Sequence, residues 1–414
     1  MMQSSYKRIP AVCAVLLPVL FVCNSSFAQA VKGKPASSLL SPVETQPANS
    51  KYKPAFTGQT RIAGVKTKTP FTVSLLNKAL EHPWGICLLP DGRFLISEKM
   101  GTMSIVTTAG KVVKKITGLP AVVPDGQGGL LDVNIDPQFS ANKMVYWAYS
   151  EQAQGGSLLA IAKGKLAADE SKIENIEVIY RATPAYKGSL QFGSRIVFDK
   201  KGNLFVSTGE RSGADIRMQA QSLNASIGKI IHITKNGKAV PGGPFAKTPN
   251  ARPEIYAYGL RNPEGLVINP ATGELWESEF GPRGGDEINI IRPGKNYGWP
   301  VVTYGIEYSG EKVGAGIQQK AGTQQPVYYW DPVVSPAGIA FYNSNVIPEW
   351  KGNLFVSGLS SMHIARLVIK NNKVVGEERL LKSEGERFRA VAVGKDGALY
   401  AITDSGRFYR VAKK

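Results

Sequence analysis

A turn followed by a short apolar run recurs six times along this chain, and no other feature of the sequence constrains the fold as strongly. In each segment, branched aliphatic or aromatic residues follow the turn, which is the composition of a β-strand. A repeat at this spacing indicates an architecture built from similar small units. The six segments begin at Gly92, Asn142, Gly202, Gly273, Gly352 and Gly397, with spacings of 50, 60, 71, 79 and 45 residues.

A second apolar run precedes each turn, over residues 84–89, 130–135, 195–198, 265–268, 338–341 and 389–393. Two β-rich runs that flank Gly, Asn or Asp predict a β-hairpin. No long stretch of helical periodicity separates the six hairpins. We therefore predict an all-β chain folded as a six-bladed β-propeller. A β-sandwich is the alternative, but it does not account for six recurrences of one hairpin.

The hairpins also predict a functional face. Residues just before each first strand and just after each second strand lie at the same end of the propeller, where loops build ligand sites. Most of the unusual polar residues collect there. Those ahead of first strands are His82, Gln127, Gln191, Arg261, Asn262 and Arg387, and those after second strands are Glu98, Lys99, Glu210, Arg211, Glu279, Arg283, Ser360, Ser361 and Asp404.

The N-terminus has the pattern of an export signal. Lys7 and Arg8 precede an apolar stretch over residues 9–22, and an Ala-x-Ala cleavage pattern ends at Ala30. The alternative is a membrane anchor, but the stretch is shorter than the ~20 residues that a span needs. We expect a signal peptide at 1–30, a flexible leader rich in Lys, Pro, Ser and Thr at 31–68, and a propeller at 69–414. The mature protein would then be periplasmic or secreted, without a membrane span.

Composition excludes several classes of protein. Three Cys exclude a disulfide scaffold and a Cys-based zinc cluster, and three His argue against a multi-His metal site. The net charge is +18, of which the predicted signal carries two cations and no acids, leaving +16. This charge favours acidic surfaces, but the basic residues are scattered and no nucleic-acid motif is present, so we predict no nucleic-acid partner.

Three segments carry chemistry, and each also has a purely structural interpretation. The segment GPRGGDEIN at 281–289 offers backbone carbonyls with Asp286 and Glu287, a donor set that suits Ca²⁺, or it is a Gly-rich turn with solvated acids. The pair Arg261-Asn262 could hold a carboxylate or a quinone oxygen, or could form a surface ion pair. Arg387 and Arg389 alternate, so they share one side of a strand; they bind an anionic cofactor or a structural acid.

Together these segments resemble the soluble pyrroloquinoline quinone (PQQ)-dependent sugar dehydrogenases, also called the glucose/sorbosone or aldose sugar dehydrogenase family. The resemblance spans about residues 80–411. It rests on HPW at 82–84, GQGGLL at 126–131, GLRNPEG at 259–265, GPRGGDEIN at 281–289 and NYGWP at 296–300. It implies a six-bladed, exported enzyme that oxidises an aldose at its anomeric CH–OH, uses Ca²⁺ to hold PQQ, and passes electrons to an external acceptor.

The resemblance also implies roles for individual residues. Arg261 is expected to stabilise developing oxyanion charge as well as to contact the cofactor. Gly281 and Pro282 match backbone ligands of the cofactor calcium, and Glu287 and Tyr297 match positions that help build the calcium-binding loop. The residues that match cofactor contacts are Gln127, Arg261, Asn262, Arg387 and Arg389.

Two positions depart from the family pattern. Gln191 stands where the family has the histidine that acts as general base, and Ser360 stands where it has a cofactor-binding lysine. An amide cannot accept a proton at neutral pH, and the loss of a general base typically costs ~10²–10⁴ in rate. The resemblance therefore implies a weakened enzyme with Gln191 at the catalytic position. The first alternative is a non-catalytic propeller that binds a saccharide or a cell-envelope partner. The second is an enzyme whose base comes from a loop; Glu210 and Asp404 lie on the predicted functional face, although no motif supports either residue.

Overall fold

The six predicted hairpins form the antiparallel inner strand pairs of six sheets arranged as a ring, so the prediction of an all-β, six-bladed β-propeller is confirmed. The structure is a computed structural model that describes residues 40–414. These residues form one compact unit. The predicted signal peptide at 1–30 lies outside the described residues.

The strands that precede the first blade are β1 (Leu40–Pro42), β2 (Ala63–Gly64) and β3 (Phe71–Asn77). Blades one to three contain β4 (Pro83–Leu88), β5 (Phe94–Glu98), β6 (Thr102–Val106), β7 (Val112–Ile116), β8 (Leu130–Ile135), β9 (Met144–Ala153), β10 (Gly156–Leu166), β11 (Ile173–Arg181), β12 (Gly193–Phe198), β13 (Leu204–Thr208), β14 (Lys229–Ile233) and β15 (Ile255–Tyr258).

Blades four to six contain β16 (Pro263–Ile268), β17 (Leu275–Glu279), β18 (Asp286–Ile291), β19 (Tyr328–Trp330), β20 (Pro336–Phe341), β21 (Leu354–Gly358), β22 (His363–Lys370), β23 (Lys373–Leu380), β24 (Phe388–Val393), β25 (Leu399–Thr403) and β26 (Phe408–Lys413). The described helices are the short α1 (Phe139–Asn142) and the 3₁₀ turns Arg217–Gln221, Pro348–Trp350 and Lys382–Glu384. Among residues 40–414, no helix is long and apolar enough to cross a membrane.

The backbone conformation of the turn explains why glycine recurs there. It adopts a positive φ in all six inner hairpins, a region that glycine enters without steric cost. In blade two, Lys143 takes this conformation instead, at the C-terminal end of α1. The glycines at the equivalent turns are Gly92, Gly202, Gly273, Gly352 and Gly397, with φ between 73° and 95°.

Apolar contacts hold neighbouring blades together. Each of the six junctions between successive blades contains its own cluster of buried aliphatic and aromatic side chains. The junction between blades six and one, for example, packs Phe94 and Ile96 against Tyr400 and Phe408. The core is therefore a ring of six packed interfaces around a central channel, and the inner strands β4, β8, β12, β16, β20 and β24 surround that channel.

The ring is closed by strand pairing as well as by side-chain packing. β3, which precedes blade one in the chain, is the outermost strand of blade six and pairs antiparallel with β26, with Val73 opposite Val411. The first and last strands of the propeller thus belong to one sheet, which resists opening of the ring at the junction of the chain ends.

The prediction of a flexible leader at 31–68 is wrong over residues 40–68. β2 pairs in parallel with β23, and β1 extends the same sheet. The Asp331 carboxylate accepts bonds from the backbone N–H groups of Asn49 and Ser50 at 2.8 and 3.0 Å, and Arg61 donates to the Asp331 carbonyl at 2.7 Å. These contacts are long-range, so local periodicity could not reveal them. Residues 31–39 lie outside the described part of the chain.

Candidate functional site

A cavity of about 370 Å³ opens at the end of the ring where the inner strands begin. Its size lies within the usual range for small-molecule sites, about 300–1,000 Å³. It lies on the face that the hairpin geometry predicts to be functional. We call it the mouth cavity; its polar side chains are His82, Lys99, Gln127, Glu264, Ser335, Arg387, Arg389 and Asp404.

Two arginines and two acids form one wall of the mouth cavity. Arg387 and Arg389 pair with Asp404 at 3.0 and 2.8 Å, and Arg389 also pairs with Glu264 at 2.6 Å. Burial acts to raise the pKa of Asp404, but the two guanidinium groups outweigh it and hold that pKa below its ordinary value. Burial raises the pKa of Glu264, which Arg389 only partly opposes. The arginines are therefore ion-paired, and they remain at a wall that an anionic ligand can reach.

Gln191 lies one layer behind Gln127 rather than in the cavity wall. Its backbone N–H donates to Gln127 Oε1 at 2.7 Å, and the residue is only 4% exposed. Oriented by its neighbours, the amide nitrogen donates to Glu210 Oε1 at 2.5 Å, and the amide oxygen accepts bonds of 2.9 and 3.0 Å from Arg261. A carboxylate and a guanidinium thus clamp the amide from both sides; we call these three residues the Glu210–Gln191–Arg261 clamp.

Backbone strain marks the same face. His82, Gln191 and Ser335 each lie within two residues of the start of an inner strand, and their φ angles are 49°, 55° and 50°. A non-glycine residue in this left-handed region costs of order 1–3 kcal/mol, and such residues cluster at functional sites. Strain at three equivalent entrances is consistent with a binding face.

Glu210 is a residue that the sequence places on this face without a motif. It follows β13 and is 1% exposed. Its Oε2 atom is buried and has no hydrogen-bond partner among the described residues. Burial raises the pKa of Glu210 to about 7, although Arg261 acts in the opposite direction. The carboxyl is therefore close to half-ionised at neutral pH.

Arg261 joins the clamp to the next loop. Its Nη1 atom donates to the carbonyl oxygens of Gly281 and Phe280 at 2.7 and 3.2 Å, and its guanidinium lies 5.1 Å from the centre of the Trp299 ring. Its Nε atom is buried without a partner in the described chain. Arg261 is thus fixed between Gln191 and the segment that the sequence associates with calcium.

Asn262 is an internal brace. Its Oδ1 accepts from the Gly193 backbone N–H at 3.0 Å, and its Nδ2 donates to Glu264 at 3.0 Å. It is fully buried. Of the residues assigned to the cofactor by resemblance, Gln127, Arg387 and Arg389 line the mouth cavity, whereas Arg261 and Asn262 lie behind it.

Blade four carries an unusual cluster of buried acids. Glu277 and Glu279 on β17 lie opposite Asn289 and Glu287 on β18, all on one face of the sheet. Burial raises the pKa of Glu279 to about 8 and those of Glu277 and Glu287 well above their ordinary value, and the mutual repulsion of the carboxylates adds to the effect. Glu277 Oε1 and Asn289 Oδ1 have no partner among residues 40–414. We call these four residues the acid cluster.

A narrow void of about 10 Å³ adjoins the acid cluster and is lined by Glu279, Gly281, Glu287 and Tyr297. That is about the volume that one water-sized sphere requires. Pro282 is buried beside Gly281 but is not part of the lining. The Tyr297 hydroxyl is already used, since it donates to the Ile290 carbonyl at 2.7 Å and accepts from the Arg292 N–H at 2.8 Å.

Asp286 does not behave as a free oxygen donor. Its carboxylate accepts from the backbone N–H groups of Gly281, Val334 and Ser335, each at 2.7 Å. Burial raises the pKa of Asp286 to about 7 despite these bonds. This residue therefore ties the calcium-associated segment to Ser335 in the mouth cavity. Within the described chain, no three His, Cys, Asp or Glu side chains are grouped so as to hold a metal ion by themselves, so a site here needs main-chain oxygens.

Comparisons with known proteins agree with the fold and with the sequence motifs. The glucose/sorbosone dehydrogenase family model matches residues 80–410. The aldose sugar dehydrogenase YliI of Escherichia coli (strain K12) is 40% identical over 347 residues, which cover 83% of this chain and 93% of that protein.

Solved structures give the same result. The crystal structure of the soluble aldose sugar dehydrogenase from Escherichia coli in the apo-form superposes with a TM-score of 0.79 at 38% identity, covering 83% of this chain and 100% of that chain. The structure of the PQQ-bound form of the aldose sugar dehydrogenase from Streptomyces coelicolor has a TM-score of 0.68 at 26% identity, covering 84% and 99%.

Proposed function

Because this chain belongs to the glucose/sorbosone dehydrogenase family, we propose that it is a PQQ-dependent oxidoreductase that oxidises an aldose at its anomeric hydroxyl. The observation that carries the proposal is the mouth cavity, which is sized for a small ligand and places Arg387 and Arg389 beside Gln127. Arginine forks bind carboxylates in a bidentate manner, and PQQ carries several carboxylates. The PQQ-bound relative from Streptomyces coelicolor supports the same cofactor here.

PQQ, when bound, supplies a quinone that accepts a hydride. The protein holds it by charge. Within the part of the chain that the structure describes, Arg387 has a single acidic partner, Asp404. Its side chain is 47% exposed, so it can exchange that partner for a ligand carboxylate at little cost. Arg389 can direct one N–H towards a ligand while it keeps its ion pair with Glu264. The Trp84 ring, 5.6 Å from the Arg389 guanidinium, forms the apolar part of the wall.

We also propose that a Ca²⁺ ion binds at the acid cluster and holds the cofactor-binding loop. The fit rests on chemistry that this chain shows: buried carboxylates of which Glu279 alone lies near a cation, Arg261, two buried oxygens without partners among residues 40–414, and an adjacent void of single-ion size. Ca²⁺ takes oxygen ligands from carboxylates and main-chain carbonyls. Glu287 would supply a carboxylate and Gly281 a main-chain oxygen, and both line the void together with the Tyr297 ring. The Pro282 carbonyl, which the resemblance also assigns to the ion, follows Gly281 in the chain but does not line the void. Arg261, which donates to Gly281, links this site to the clamp.

The proton of the sugar hydroxyl requires an acceptor, and the Gln191 amide cannot be that group. Glu210 is the carboxylate in contact with Gln191, it has an unpartnered Oε2 atom, and its pKa of about 7 suits a general base at neutral pH. Because this atom is buried and Glu210 does not line the mouth cavity, we assign the proton to Glu210 Oε2 through one bridging water, and the orientation of that carboxylate to the Gln191 amide. Arg261 contributes positive charge that stabilises developing negative charge on the substrate oxygen.

The test is a titration followed by an assay. PQQ is added to the purified protein with Ca²⁺ present, binding is measured by absorbance or calorimetry, and aldose-dependent dye reduction is then recorded. We expect saturable binding and slow, sugar-dependent turnover. Arg387→Met should weaken PQQ binding, whereas the matched control Arg292→Met, which removes an exposed arginine on blade four, should not. Absence of PQQ binding to the wild type refutes the proposal.

The second candidate is a non-catalytic propeller that binds a saccharide or a cell-envelope partner. Gln191 and Ser360 favour it, because both replace residues that the resemblance associates with the reaction. Saccharide binding without PQQ binding or turnover would establish this second function. In both cases we propose export, with removal of residues 1–30, and an external electron acceptor for the enzyme.

A further inference from the structure

The charges of the mouth cavity do not balance. Its ionised side chains are Lys99, Arg387, Arg389, Glu264 and Asp404, three cations and two anions. Both anions are used by the arginines, in ion pairs of 2.6 to 3.0 Å. Lys99 has no carboxylate partner within the described chain; its Nζ donates only to the Gly126 carbonyl, at 2.7 Å. The unbalanced positive charge of the cavity therefore resides on Lys99.

The main chain fixes Lys99 at the cavity. It follows β5, its N–H donates to the His82 carbonyl at 3.1 Å, and its carbonyl accepts from the Leu130 N–H at 2.9 Å. The side chain is half-buried, and a single hydrogen bond to an uncharged carbonyl restrains its ammonium group. A lysine with this anchoring can swing from a carbonyl to an anion within the cavity without any movement of the backbone.

Ser360, across the cavity mouth on blade five, offers no charge. Its hydroxyl is hydrogen-bonded to the Ser335 hydroxyl at 2.8 Å. The position that the family resemblance associates with a cationic contact is therefore neutral and already satisfied in this chain. Arg387 and Arg389 provide two positive contacts to a ligand in the mouth cavity. A third cannot come from Ser360, and Lys99 is the remaining cation among the residues that line the cavity.

We propose that Lys99 is a ligand-binding residue that pairs with a carboxylate of the molecule bound in the mouth cavity, and so takes over the role of a cation absent at Ser360. The inference rests on the proposed function, which makes that molecule PQQ. An ion pair with a ligand carboxylate replaces the bond to the uncharged Gly126 carbonyl, and the ligand supplies the negative charge that the cavity lacks.

The experiment compares PQQ affinities of four proteins, measured by calorimetry with Ca²⁺ present and at one fixed ionic strength. Lys99→Met removes the charge and keeps the length of the side chain, and Lys99→Arg keeps the charge. Lys247→Met changes the net charge equally at an exposed position remote from the cavity. We expect PQQ to bind about tenfold more weakly to Lys99→Met, in line with a lost hydrogen bond to a charged group. Lys99→Arg and Lys247→Met should stay within about threefold of the wild type, less than 1 kcal/mol.

A second ligand shows whether the carboxylate is the partner. The trimethyl ester of PQQ has no ionised carboxylate, so the wild type and Lys99→Met should bind it equally. Melting curves without ligand confirm that the variants are folded. If the wild type and Lys99→Met bind PQQ equally well, the role of Lys99 is overturned and the proposed function stands. The same holds if Lys99→Met loses as much affinity for the ester as for PQQ. Absence of PQQ binding to the wild type overturns the proposed function and this inference together.

Discussion

Replacement of Glu210 by glutamine is the substitution that best separates chemistry from architecture at this site. The new side chain has nearly the same shape, and its carbonyl oxygen can still accept the bond from the Gln191 amide. The Glu210–Gln191–Arg261 clamp therefore keeps its geometry. What disappears is a titratable carboxylate that is 1% exposed.

The effect on stability follows from the pKa of the buried carboxyl. Burial raises it from 4.5 to about 7, so the folded state binds more protons than the unfolded state between these values. The free energy of unfolding therefore falls as the pH rises through that window, and the stabilisation present below pH 4.5 is lost above about pH 7. At 1.36 kcal/mol per pH unit, the loss is about 3 kcal/mol. Glu210→Gln has no carboxyl to ionise at this position, so it does not lose this free energy of unfolding as the pH rises.

We therefore expect stability and activity to change in opposite directions. At pH 8 the melting temperature of Glu210→Gln should exceed that of the wild type, and the difference should shrink towards pH 5. With PQQ, Ca²⁺ and an aldose, dye reduction by the variant should fall by ~10²–10⁴, the usual contribution of a general base. Wild-type activity should rise with pH through about 7 and then level off, and the variant should lack this rise.

The control is Glu177→Gln, which removes an exposed acid on β11, far from the mouth cavity. It should change neither the activity nor the pH profile. An active Glu210→Gln with the wild-type pH profile would show that another group accepts the proton. A variant that loses activity and also melts lower at pH 8 would show that the carboxylate is structural.

Three further outcomes are expected. Gln191→His combined with Ser360→Lys supplies a second proton acceptor and a cation, and should raise dye-linked activity at least ~10-fold, below the full contribution of a base because the surrounding residues were not selected for it; a decrease would show that an imidazole at position 191 cannot replace the amide that orients Glu210. Chelation should lower the melting temperature, because an ion that binds only the folded state stabilises it, and Glu287→Gln should remove most of that sensitivity; identical melting of both proteins with and without chelator would rule out this calcium site. Intact mass of exported protein should show loss of residues 1–30, and a cytoplasmic chain that retains Met1 would contradict export.

The propeller could be predicted from the sequence because the pattern that identifies each blade lies within a short stretch of the chain. A turn such as that at Gly202 and its two flanking β-rich runs are within a few residues of one another, and six copies define the ring. The closing strand β3 carries no such signal, since its partner β26 is more than 300 residues away in the chain. The segment 40–68 is likewise fixed by distant partners such as Asp331.

Contacts between residues far apart in the sequence also limited the prediction of the candidate site. The sequence predicted Arg387 and Arg389 as a pair on one side of a strand, and in the structure both line the mouth cavity and pair with Asp404. It did not reveal that the Asp286 carboxylate accepts hydrogen bonds from three backbone N–H groups, nor that Lys99 has no acidic partner among residues 40–414. Both facts depend on which groups the fold brings into contact, and residue type alone does not contain them.

The pattern of unpartnered atoms argues against a propeller that has lost its reaction. A buried polar atom without a partner costs about 1–3 kcal/mol, and more when the group is charged. Such atoms are retained here at Glu210 Oε2, Arg261 Nε and Glu277 Oε1, in the clamp and in the acid cluster, which Arg261 joins through Gly281. In a propeller that binds neither substrate nor metal ion at these groups, replacing them with apolar side chains would increase the stability of the fold. Their presence is expected if a substrate hydroxyl and a metal ion supply the missing contacts, which favours the enzyme over the non-catalytic alternative.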